Sequence, residues 1–98
     1  MAAYIVITRL HTRNRAELDE YAKHAPNFMA GHNAKFLARF GSCEVLEGPG
    51  VESAAIIEFP TLAEAKAWYA SPAYQEASRH RFQGGDYGFL IIEGADAH

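Results

Sequence analysis

Ala54-Ala55-Ile56-Ile57-Glu58-Phe59-Pro60-Thr61-Leu62-Ala63-Glu64 decides the fold. Its first six residues hold no Gly or Pro and read as a strand. Pro60 closes that strand, because proline has no N–H for a ladder. Thr61, with Glu64 three residues on, is a capping box that opens a helix through Trp68 and Tyr69. Ser71-Pro72 restarts this helix, with Ser71 as cap and Pro72 at the first helical position, and carries it to about Phe82. Gly84-Gly85 reads as a loop, Tyr87 to Glu93 as a last strand, and residues 94–98 as a frayed tail.

Toward the N-terminus, Gly48-Pro49-Gly50 is the strongest turn signal and predicts a hairpin. Its other arm is a strand from Lys35 to Phe40, continued by Cys43 to Glu47 past a bulge at Gly41-Ser42. Before it, Asn14 sits three residues ahead of Glu17, close to a capping box, with Arg15 opening a helix. Leu18, Tyr21, Ala22, Ala25, Phe28 and Met29 follow at helical spacing. Pro26 predicts a kink or restart near Ala25, and Gly31 and Asn33 are stops. Tyr4 to Leu10 is the first strand. The order β-α-β-β-α-β is the ferredoxin-like α+β arrangement. It predicts an antiparallel four-stranded sheet with two helices on one face, one domain over residues 1–98 with its core at about 3–94.

Length and composition agree with a single domain. The chain has 98 residues, 49% hydrophobic and 21% charged, which is globular composition. Nine Lys and Arg against twelve Asp and Glu give a net charge of −3, without the basic excess of a nucleic-acid module. The apolar run Ala2 to Ile7 is too short for a signal core or a membrane span. A lone cysteine, Cys43, predicts a fold independent of disulfides and a cytoplasmic home.

The strands carry a second message. Tyr4-Ile5-Val6-Ile7, Ala54-Ala55-Ile56-Ile57 and Phe89-Leu90-Ile91-Ile92 are apolar at both parities. Two helices hide only one sheet face. The second face predicts burial against another copy of the sheet, a two-fold homodimer. The alternative is a monomer with an exposed apolar patch.

Several residues could carry chemistry. Arg39 and Glu58 interrupt apolar strands, and the hairpin predicts that they lie near each other. Arg39 would bind a carboxylate or enolate and Glu58 would act as base; a structural ion pair is the other reading. His11, His24, His32, His80 and His98 lack metal-ligand spacing, so no metal is expected. His32 and His80 are candidate general acids or bases, and His80 otherwise pairs with Glu76 one turn away. Arg79-His80-Arg81 reads either as charge at a helix C-terminus or as an anion clamp. Trp68, Tyr69 and Tyr74 are core residues first and cavity walls second. Tyr21 joins Ser71 and Arg79 as a candidate substrate contact.

Lys35-Phe36-Leu37-Ala38-Arg39, Glu44 to Gly48, Ile57-Glu58-Phe59-Pro60, Ala67 to Gln75 and Ile92-Glu93-Gly94 together resemble the domain of unknown function 1330 family. The resemblance runs from Tyr4 to Gly94. It implies the dimeric α+β barrel superfamily, whose members include cofactor-independent monooxygenases, muconolactone-type isomerases, small lyases and haem-degrading enzymes. It marks Arg39, Glu58, Trp68, Tyr69, Ser71, Tyr74 and Arg79 as family positions. The chain departs from the pattern at His32-Asn33-Ala34, at Phe40 and at Gly84 to Tyr87. The expectation is a homodimeric enzyme without a tightly bound cofactor. It would act by proton transfer, isomerisation, elimination or hydrolysis on a small carbonyl or carboxylate metabolite. A non-catalytic small-ligand-binding or regulatory dimer, and a haem-linked or cofactor-free monooxygenase, are the alternatives.

Overall fold

Pro26, Pro60 and Pro72 divide the chain as the sequence predicts. In the computed structural model, which describes residues 2–95, the elements are β1 (Ala3–Thr12), α1 (Arg15–Lys23), α2 (Ala25–Met29), β2 (Lys35–Arg39), β3 (Ser53–Phe59), α3 (Leu62–Ala70), α4 (Pro72–Gly84) and β4 (Gly85–Glu93). Each expected helix is two. Pro26 has no N–H to offer Ala22, and the helix breaks at His24. Pro72 restarts α4 behind Ser71, whose hydroxyl accepts from the Tyr74 N–H at 3.3 Å. Asn14 caps α1 through the N–H groups of Ala16 and Glu17, and Thr61 caps α3 through that of Glu64.

The four strands form one antiparallel sheet in the order β2-β3-β1-β4, the ferredoxin-like α+β arrangement. Period-two alternation sorts the side chains. Ile5, Ile7, Ala55, Ile57 and Phe59 are buried beneath the helices with Phe28, Trp68 and Tyr74. The Trp68 indole N–H donates to the Phe28 carbonyl at 2.9 Å, which ties α3 to α2 inside this core. Alternate residues turn to the other face, where Val6 stands between Ile56 and Leu90, and Tyr4 between Glu58 and Ile92. None of the described residues covers this face: Leu90 and Ile92 are each 55% exposed.

Two expectations are corrected. Residues 40–52 form a loop in place of the expected strand continuation, so β2 and β3 pair as a hairpin through a long connection, and every residue from 41 to 50 is exposed. Phe40 is the cause: its φ of 50° is left-handed and turns the chain out of β2. Its N–H still reaches the Ala54 carbonyl at 2.8 Å, the last backbone bond to β3 before the loop leaves. Gly84-Gly85 is likewise no loop, because α4 ends at Gly84 and β4 begins at Gly85. A Cβ on Gly84 would stand 2.4 Å from Leu18 Cδ2, and one on Gly85 2.5 Å from the His11 carbonyl oxygen. The pair exists for close approach, not for flexibility. The expected frayed tail extends to residues 96–98, which with His98 lie outside the described residues.

Candidate functional site

A cavity of about 150 Å³ lies between the sheet and α1. Its floor is apolar, with Ile7, Phe36 and Ile57 from the strands and Leu18 from α1. Tyr21 and Tyr87 wall it, and Arg9, Arg15, Arg39 and Asp19 supply its charges.

Local sequence explains each arginine. Arg9 follows Ile5 and Ile7 at the same parity, so β1 delivers it to the helix side. Its Nε donates to Glu52 Oε1 at 3.0 Å, and its guanidinium lies 5.4 Å from the Phe40 ring centre. Glu52 also accepts from the Thr12 N–H and hydroxyl. The Thr12 side-chain hydrogen bond, then its backbone one, hold the Glu52 carboxyl below the usual glutamate value. Arg39 reaches the cavity through a bulge. The β2–β3 register shifts between Phe36 and Ala38, so Phe36 faces Ile57 and Arg39 faces Ala55. The extra residue, Leu37, puts two side chains three apart on one face, which a regular strand forbids. The Arg39 guanidinium then stacks 4.6 Å from the Phe36 ring centre. Among the described residues, neither Arg15 nor Arg39 has a carboxylate within ion-pair distance.

The pairing of β2 with β3 overturns the expected neighbourhood of Arg39 and Glu58, since Arg39 stands opposite Ala55, three residues along β3 from Glu58. Glu58 stands opposite Tyr4 and Lys35, on the sheet's open face. Arg39 is on the helix side, so the sheet separates them.

Of the other expected site residues, Tyr21 lines the cavity and bonds through its hydroxyl to that of Tyr74 at 2.9 Å. Burial, then the Tyr74 neighbour, raise the Tyr21 hydroxyl well above its usual value, and burial raises Tyr74. Trp68 is fully buried in the core. Tyr69 packs on Tyr74 and Phe89, away from the cavity. Ser71 spends its hydroxyl on the cap and on the Trp68 carbonyl. Arg79 is exposed and pairs with Glu76 at 3.4 Å. That contact displaces the expected His80–Glu76 pair: His80 Nδ1 instead donates to Glu17 Oε2 at 2.7 Å, with its ring 5.2 Å from that of His24. His32 sits in the turn after α2, and neither it nor His80 lines the cavity. No helix among the described residues is long and apolar enough to cross a membrane.

Sequence reading missed Arg9, Arg15, Tyr87 and Arg81. The parity of Arg9 with Ile7 was a usable signal. So was the spacing of Tyr74, Ala77, Ser78 and Arg81, which marks the buried stripe of α4 and turns Arg81, not Arg79, inward.

Solved structures share this architecture. A protein of unknown function from Rhodopseudomonas palustris aligns at 17% identity over 97% of this chain and 83% of its own, with a TM-score of 0.73. A dimeric ferredoxin-like protein of unknown function from Thermobifida fusca aligns at 13% identity over 95% of this chain and 91% of its own, with a TM-score of 0.65. SnoaB, a cofactor-independent oxygenase from Streptomyces nogalater, aligns at 10% identity over 98% of this chain and 95% of its own, with a TM-score of 0.67. At these identities the likeness is one of fold. No curated protein matches the chain significantly. A family profile does match, over residues 2–95, and the chain belongs to that family, the domain of unknown function DUF1330.

Proposed function

We propose that the protein is a homodimeric small-molecule enzyme of the cytoplasm that needs no tightly bound cofactor. It acts by proton transfer on a small metabolite carrying a carbonyl or carboxylate group. One observation carries this reading: an apolar cavity bearing three arginines against one aspartate. Glu52 neutralises Arg9, which leaves Arg15 and Arg39 to hold an anionic oxygen. A cavity near 150 Å³ admits a ligand of about benzene's size. Asp19, the carboxylate on that wall, takes the proton-moving role that sequence reading gave to Glu58, His32 or His80. Benzoate and its neutral isostere benzamide, compared by calorimetry, test the reading. Benzoate is expected to bind and benzamide not; equal binding of both would remove the arginines' role.

The uncovered face with Val6, Ile56, Leu90 and Ile92 supports the homodimer, as does the description of the Thermobifida fusca neighbour as dimeric. Cofactor-free oxygenation is a second reading, favoured by the oxygenase among the neighbours of the same fold. Oxygen uptake by protein and substrate, measured at an electrode, separates it from proton transfer alone.

A further inference from the structure

Arg81 is the least expected charge in the molecule. It is 4% exposed, on the inward stripe of α4. Its guanidinium carbon lies 4.3 Å from the Phe89 ring centre, 4.4 Å from that of Phe82 and 5.4 Å from that of Tyr87. Its Nε is buried without a hydrogen-bond acceptor, and among the described residues no carboxylate pairs with it. A buried cation without an anion is unfavourable, and aromatic faces offset only part of that. Buried charges of this kind are enriched at functional sites.

Tyr87 is one of the rings it lies against. The Arg81 charge acts on Tyr21, Tyr74 and Tyr87 alike, opposing the burial that raises each hydroxyl. A guanidinium only donates hydrogen bonds, so its field favours the acceptor side of the Tyr74 oxygen. The Tyr74 and Tyr21 hydroxyl oxygens stand 2.9 Å apart, and either can donate to the other. Whichever of the two donates, the other proton has no acceptor within the pair. Tyr21 is also a wall of the cavity. An oxygen bound in the cavity can therefore take the Tyr21 proton as a hydrogen bond while Tyr74 donates to Tyr21.

We infer that Tyr21 donates a hydrogen bond to an oxyanion in the cavity, with Tyr74 and Arg81 as its positioning residues. The ligand class is then a planar enolisable ketone or a phenol, whose oxygen gains negative charge as its proton leaves. No proton need leave Tyr21; it stabilises the charge that the substrate develops. This rests on the reading of the cavity as a small-anion site and names the chemistry at its inner end.

4-Nitrophenol is the probe, because its phenolate absorbs where the phenol does not. In the wild-type protein the bound dye should ionise at least about one pH unit below the free dye, a tenfold preference for the phenolate. Tyr21→Phe should abolish the shift while leaving the fold intact by circular dichroism. Tyr74→Phe and Arg81→Met should reduce it, and Arg81→Lys should retain part of it. Phenylalanine at positions 21 and 74 keeps the ring packing, so the test survives if Arg81→Met does not fold. No shift in the wild type, or a shift that persists in Tyr21→Phe, overturns the inference. If the Tyr21→Phe shift persists and Arg39→Met removes it, the inference falls and the small-anion reading stands. If benzoate also fails to bind the wild type, both fall.

Discussion

Gly84 and Leu18 meet with no room for another carbon, since a Cβ on Gly84 would stand 2.4 Å from Leu18 Cδ2. That contact seats the end of α4 on α1, beside the cavity that Leu18 helps to line. Gly84→Ala is therefore expected to destabilise the protein by about 1–3 kcal/mol through overpacking, against the usual gain from alanine in a helix. Leu18→Ala should make room for the added methyl. In denaturant titrations, the double variant should lose less than the two single losses combined; strict additivity would show that the contact is relaxed.

Arg39 gives the clearest ligand prediction. Arg39→Met keeps the aliphatic stem over Phe36 and removes the charge. Benzoate affinity should fall about tenfold or more, as expected for losing one charge-assisted hydrogen bond. Arg79→Met, at an exposed site paired with Glu76, should leave that affinity unchanged. Equal losses in both variants would point to net charge instead of the cavity.

Glu52 links the rim of the site to acid stability. Thr12, then Arg9, holds its carboxyl below the usual glutamate value in the folded chain. Its contribution is therefore fully present above the unfolded value and is lost as pH falls through the folded one. Glu52→Gln should flatten the acid limb of the stability–pH curve. Thr12→Val should move the midpoint of the Glu52 carboxyl resonance's titration to higher pH in carbon-detected NMR. An unmoved midpoint would remove Thr12 as the cause.

Val6 lies at the centre of the uncovered sheet face, between Ile56 and Leu90. Val6→Glu should turn a dimer into a folded monomer, read by light scattering with unchanged circular dichroism. A wild-type chain that is already monomeric at micromolar concentration would leave this face without its proposed partner.

The chain's local signals give its elements because they are local. Three side-chain caps, three prolines and the two apolar parities need only neighbours in sequence. Residues 40–52 escaped that reading because β-forming residues there find no partner strand once Phe40 turns away. The site was legible by residue type but not by position. Tyr21 and Arg39 stood out, yet the company of Arg39 depended on a one-residue register shift inside β2. No alternation pattern records such a shift. Arg81 was visible as part of a basic triplet, but its inward turn needed the buried stripe of α4 as a reference.

The bulge at Leu37 also indicates how this chain could be retuned. Substitutions around the cavity trim or enlarge what is already there. Deleting Leu37 would remove the bulge yet leave Arg39 opposite Ala55 on the cavity side, whereas adding one residue between Ala38 and Arg39 would move Arg39 opposite Ala54 and so through the sheet to the open face. One codon gained would take from the cavity one of its three arginines. In this scaffold, length changes in the outermost strand redirect function more sharply than side-chain replacements do.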